Sequence, residues 1–273
     1  MADRAGAGPW PRLARLGRID SRARAVTLVR VSGMLAVVGL AEATFLLAGL
    51  VTGAVAALAV LAVLLALAAV HRGLPEGRAA IALSVLPLLR VLSISLPSIL
   101  VPQWIWHAEI GIPVIVATAL AARLAGFGAS EIGIRRPQAV ETIVAAGAGL
   151  LLGLVAARIT DAVTILSDRS ILTAALASLA VIIGAAAAEE LLFRGLLLRI
   201  AEGIVAGSGI VVSTLLSTLM YVATMNPRYI VFIAAVSLVL AVITRRSGSL
   251  GPALACHAAL VWSQLILWPA LLG

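Results

Sequence analysis

The chain has no lysine, one cysteine, one asparagine and very little charge. Only 12% of its 273 residues are charged and 4% are aromatic. A soluble domain carries roughly a quarter charged residues and is about half apolar. Here 62% of residues are hydrophobic and the mean hydropathy is +1.15. No soluble core hides that much apolar surface, so the surrounding solvent is lipid and the chain is polytopic. The lone Cys256 excludes an intrachain disulfide. All 20 basic residues are arginine. That usage, with abundant alanine, suggests a GC-rich bacterial genome and a bacterial plasma membrane. The net charge of +8 does not point to nucleic acid, because no soluble basic domain is present. Surplus arginine in a membrane protein marks cytoplasmic loops. The three histidines, His71, His107 and His257, are scattered, and H-E-x-x-H and Gly-rich phosphate loops are absent. No metal or cofactor is therefore expected.

What the chain does have is apolar runs. A membrane-spanning helix needs about 20 apolar residues. Nine stretches qualify, near 28–48, 52–70, 79–100, 110–125, 139–157, 171–193, 207–225, 229–244 and 250–270. The fourth and eighth are short, so the expected architecture is an all-α transmembrane bundle of eight to nine spans. Residues 1–25 read as a basic cytoplasmic segment, partly disordered or lying on the headgroups, and 26–165 as a set of N-terminal transmembrane helices. Nine alternating spans place Arg72, Arg78, Arg123, Arg135, Arg136, Arg194, Arg199, Arg245 and Arg246 on the side of the basic N-terminus. The opposite side keeps only Arg158, Arg169 and Arg228. That asymmetry predicts a cytoplasmic N-terminus. The segment QWIWHAE at 103–109 then falls at the outer interface, with Trp104 and Trp106 in the headgroup belt and His107 in a wet loop.

Ionisable groups inside spans are costly and are functional candidates by default. The first set is Glu42 and Arg90, whose depths differ by roughly 5 Å at about 1.5 Å per residue. They are expected to form a cross-helix pair that fixes packing. The second set lies in GAAAAEELLFRGLLL. Glu190 and Arg194 stand four residues apart and share a helix face. Glu189 points about 100° away from Glu190, so Arg194 does not follow it. A carboxylate without a cationic partner in a low-dielectric site is suited to take up a proton, as a general base must. The alternative is a structural Glu–Arg pair with Glu189 wetted at the helix mouth. His257, about seven residues into the last span, matches Glu189 in depth, and both can face one hydrated pocket. Cys256 points elsewhere and reads as a small packed residue.

EELLFRGLLLRI resembles the first motif, E-E-x-x-x-R, of the CPBP family, the CAAX prenyl endopeptidases and bacteriocin-processing proteins also called the Abi family. RRSGSLGPALACHAAL resembles the approach to the family's third motif, H-x-x-x-N. STLLSTLMYVATMNP resembles the second, F-x-x-x-H, in position. The resemblance covers about 171–265 and makes 166–273 the CPBP/Abi-like core. It implies an intramembrane endopeptidase with a pocket open to the cytosol, acting on membrane-associated, prenylated or leader-bearing peptides. On this likeness Glu189 is the base that activates water, Glu190 and Arg194 support it, and His257 donates to the oxyanion.

The chain departs from the pattern at two of four key positions. The second-motif histidine aligns with Met225 and the third-motif asparagine with Val261. Met cannot relay a proton and Val donates no hydrogen bond. Tyr221, on the expected helix face of Met225, and the neighbouring Asn226 are the polar stand-ins to consider. Two functions follow. One is an endopeptidase with a rearranged site. The other is a pseudoprotease that binds a membrane protein or peptide in the same pocket without cleaving it. A transporter lacks support, since no repeat relates the two halves.

Overall fold

The structure is a computed structural model, and it describes residues 21–96, 101–166 and 170–272. Among the described residues it is all-helical, with eight helices long and apolar enough to cross a membrane. These are α1 (Ser21–Leu47), α2 (Gly49–Val70), α3 (Pro75–Ser95), α4 (Gln103–Leu124), α5 (Ala139–Thr160), α6 (Ile171–Ile204), α8 (Pro227–Ser247) and α9 (Gly251–Leu272). The shorter α7 (Ser208–Leu219) lies between α6 and α8. The chain is a multi-pass membrane protein. Its large apolar side chains face outward along most spans, as with Leu40, Val51, Leu120, Val144, Leu215 and Val231.

Several boundaries differ from the sequence reading. Helix α1 already includes Ser21 to Ala25, while the rest of the basic N-terminal segment lies outside the described residues. Helix α3 starts at Pro75, a residue suited to the first helical turn, and ends at Ser95. The proposed end of that span at 97–100, together with Asp168 and Arg169, lies outside the described residues. The 103–109 segment is not a wet loop. Pro102 precedes the first turn of α4, and Trp104, Trp106 and His107 are helical and half-buried. The cause is a close helix crossing. Gly111 of α4 meets the backbone of Gly184 in α6, and Gly184 meets the carbonyl of His107, so that a Cβ at either glycine would clash with main chain.

A second close approach fixes the last span. Gly149 and Gly153 on α5 form a G-x-x-x-G face. Gly149 lies against the Cys256 carbonyl, and Gly153 against Ser263 and the Leu260 carbonyl of α9. Without a hydrophobic drive between helices in lipid, small residues that let backbones approach supply the packing. Buried Cys256 belongs to this contact, in a cluster with Ala156, Val236, Leu240 and Leu260. The largest core cluster joins the N-terminal spans to α6 through Leu86, Val114, Leu192, Phe193 and Leu196. Those two packings hold α3, α4, α6 and α9 around one interior space.

Candidate active site

Helix α6 carries π-helical stretches at Ile182–Ala187 and Glu190–Leu197, flanking Glu189, and α9 carries another at Ser263–Leu267. Such local widening inside a helix is frequent at functional sites. At 34 residues, α6 would extend about 50 Å at 1.5 Å per residue, against a hydrocarbon core of about 30 Å. Its midpoint, where the two glutamates stand, is therefore deep.

Glu190 and Arg194 are each about 1% exposed. Arg194 Nη1 donates to Glu190 Oε1 at 3.0 Å, and Arg194 Nη2 reaches the Ser237 carbonyl of α8 at 3.4 Å. His257 Nδ1 lies 2.8 Å from the same Glu190 Oε1. A carboxylate, a guanidinium and an imidazole from two helices thus make one buried cluster. Matched depth placed His257 and Glu189 on one pocket; the ring nitrogen itself engages Glu190. Ser237 Oγ and Ser217 Oγ, 3.0 Å apart, tie α8 to α7 behind this cluster.

Glu189 turns to the other side and is half-buried. Its Oε1 accepts a hydrogen bond from the Tyr221 hydroxyl at 2.7 Å. Sequence periodicity alone gave Glu189 no partner. Tyr221 comes to it because α7 is only twelve residues long and the chain then turns. The same turn defeats the expectation that Tyr221 and Met225 share a helix face. Met225 adopts left-handed backbone at φ 54° and is 73% exposed, outside the cavity. Asn226 caps α8: its Oδ1 accepts from the Tyr229 amide at 3.1 Å, and its Nδ2 donates to the Ile159 carbonyl at 3.2 Å. Pro227 follows in the first turn of α8. Both stand-ins other than Tyr221 are thus engaged in ending one helix and starting the next.

Glu189, Tyr221, His257 and Val261 all line a cavity of about 280 Å³. Tyr229 also lines it, stacked edge-to-face on Tyr221 at 5.8 Å. Gln264, one turn beyond Val261 on α9, lies 3.5 Å from the Tyr229 hydroxyl and 3.3 Å from Thr160 Oγ1. Arg90 lines the cavity too. Its Nε and Nη2 donate to Glu42 at 2.5 to 3.1 Å, and Nη2 also donates to the Met220 carbonyl at 3.0 Å. The sequence reading confined Arg90 to fixing helix packing, because no convergent polar residue was visible. Its place on the wall depends on Met220, just after α7, lying beside Arg90, which no sequence pattern records.

The lining runs from Glu189 towards Ser93, Gln103, Tyr229 and Leu265. Those residues lie at the helix ends opposite the arginine-bearing loops.

A polytopic helical bundle with a carboxylate doublet, a buried arginine and an imidazole around an internal cavity defines a membrane protein with an intramembrane polar site. Residues 171–263 match the family model for the type II CAAX prenyl endopeptidase, Rce1-like. The chain carries an Rce1-like domain over these residues, which hold Glu189, Glu190, Arg194, Tyr221, His257 and Val261. No curated protein and no solved structure matches the chain.

Proposed function

We propose that the protein is an intramembrane endopeptidase in a bacterial plasma membrane, with its N-terminus cytoplasmic, acting on membrane-associated peptides that are prenylated or bear a leader. Glu189 takes a proton from a water whose oxygen attacks the scissile carbonyl carbon. The tetrahedral intermediate then collapses, the C–N bond breaks, and the proton held on Glu189 passes to the departing amine. His257 keeps Nδ1 on Glu190 and turns Nε2 towards the oxyanion. Glu190 and Arg194 hold that ring in place. Tyr221 takes over the orienting role that the second-motif histidine has in the family, by fixing the Glu189 carboxylate. The 2.7 Å Tyr221–Glu189 contact inside the cavity carries this reading.

A second reading has a specific support. Val261 brings no donor to the cavity wall, and Met225 lies outside it. Losing one oxyanion donor costs about 10²–10³ in rate. A pseudoprotease that binds peptide in the same cavity is the alternative. Tyr221→Phe tests the choice with purified protein and prenylated or leader-bearing peptides. Removing a hydrogen bond to a charged group should lower kcat by about tenfold to a hundredfold, with KM and the thermal unfolding midpoint close to wild type. Unchanged kcat in the variant would remove Tyr221 from the mechanism. A wild type that binds these peptides and cleaves none would favour the pseudoprotease.

A further inference from the structure

We infer that Arg90 is a substrate subsite that receives the free C-terminal carboxylate of a peptide lying in the cavity. The inference rests on the hydrolytic reading above only for where the scissile bond lies. Arg90 belongs to α3, outside the matched family domain. Two of its three guanidinium nitrogens are committed, Nε and Nη2 to Glu42 and Nη2 also to the Met220 carbonyl. Nη1 has no hydrogen-bond partner among the described residues, while the side chain forms part of the cavity wall. Met220 directly precedes Tyr221, the partner of Glu189, so the guanidinium is anchored one residue from the catalytic carboxylate's own support.

On the same wall Arg194 gives Nη1 to Glu190 and Nη2 to the Ser237 carbonyl, with Nε buried and without a hydrogen-bond partner among the described residues, while His257 engages Glu190 through Nδ1 and keeps Nε2 for the oxyanion. Leu89, Ile110, Val114 and Leu192 give the wall apolar surface. A ligand that satisfies these surfaces together has an apolar body, an anionic end and a carbonyl at Glu189. Glu42 neutralises much of the guanidinium charge and holds its plane fixed. What remains is Nη1, an N–H donor on a cationic group, which binds a carboxylate oxygen more strongly than a neutral carbonyl. The five N-terminal spans thereby acquire a role in substrate choice.

The test compares two forms of one peptide, a prenylated cysteine followed by three apolar residues, ending either in a free acid or in a carboxamide. Binding is measured on the purified full chain carrying Glu189→Gln, so that no peptide is consumed. The acid should bind tighter than the amide by about tenfold to a hundredfold. Adding Glu42→Gln and Arg90→Gln together, which leaves no lone buried charge, should abolish that preference while amide binding persists. Adding Glu42→Gln alone should widen it. Equal binding of acid and amide with Arg90 in place would overturn the subsite, whether or not the substituted forms fold. So would a preference that survives the loss of Arg90. If wild type cleaves acid and amide with equal affinity, the subsite falls and the hydrolytic reading stands. An acid preference without any cleavage leaves the subsite and defeats hydrolysis. Failure to bind either peptide contradicts both.

Discussion

Replacing Glu189 by glutamine is expected to remove peptide cleavage while leaving the fold and peptide binding intact. The amide oxygen still accepts from the Tyr221 hydroxyl, which now makes the 2.7 Å contact with the carboxylate, so local geometry changes little. What disappears is the ability to take a proton from water. Positioned general acid–base groups contribute typically 10²–10⁴-fold, and with no other carboxylate on the cavity wall among the described residues the loss should approach the upper end. Steady-state cleavage and peptide binding on the same preparation measure both halves. Retained cleavage in the Gln variant would assign the chemistry elsewhere.

Truncating Arg194 to alanine should act on the fold instead. It would leave Glu190, about 1% exposed, with only the His257 ring at 2.8 Å. Breaking a buried ion pair by removing one partner costs about 3–5 kcal/mol, because an uncompensated charge stays in low dielectric. Such a loss is large against the marginal stability of folded proteins, about 5–15 kcal/mol. Purified Arg194→Ala should give a low folded yield and a markedly lower thermal unfolding midpoint. Adding Glu190→Gln should recover part of the stability, since no lone charge then remains. Cleavage should not return, because the imidazole loses its anchor. A stable single variant would contradict the assignment of this pair as the structural centre of the site.

Much of this was legible in the chain. Apolar run length gives nine stretches, of which eight are long spans and 207–225 holds only the short α7, and the Glu190–Arg194 pair follows from a four-residue spacing that any helix brings together. Matched depth made a Glu42–Arg90 pair plausible, and the helix packing brings the two together. The Tyr221–Glu189 bond was not, because it depends on where α7 stops. A left-handed residue at Met225 and the cap made by Asn226 end that helix early, and an i, i+4 alignment carried through 225 sends the wrong residue towards the site. The placing of His107 in α4 was missed for a similar reason. Gly111 and Gly184 let two backbones meet, and a close crossing of helices leaves no periodic trace in either sequence. The cavity role of Arg90 needed that same three-dimensional information.

The central claim is that the unpaired glutamate of the doublet drives water onto a peptide bond within the membrane. It is tested most directly by incubating purified wild-type protein with a prenylated C-terminal peptide in water enriched in oxygen-18 and weighing the products. The account predicts a new C-terminus carrying one heavy oxygen in a single turnover, and none formed by Glu189→Gln. Intact peptide after saturating binding to the wild type would contradict it.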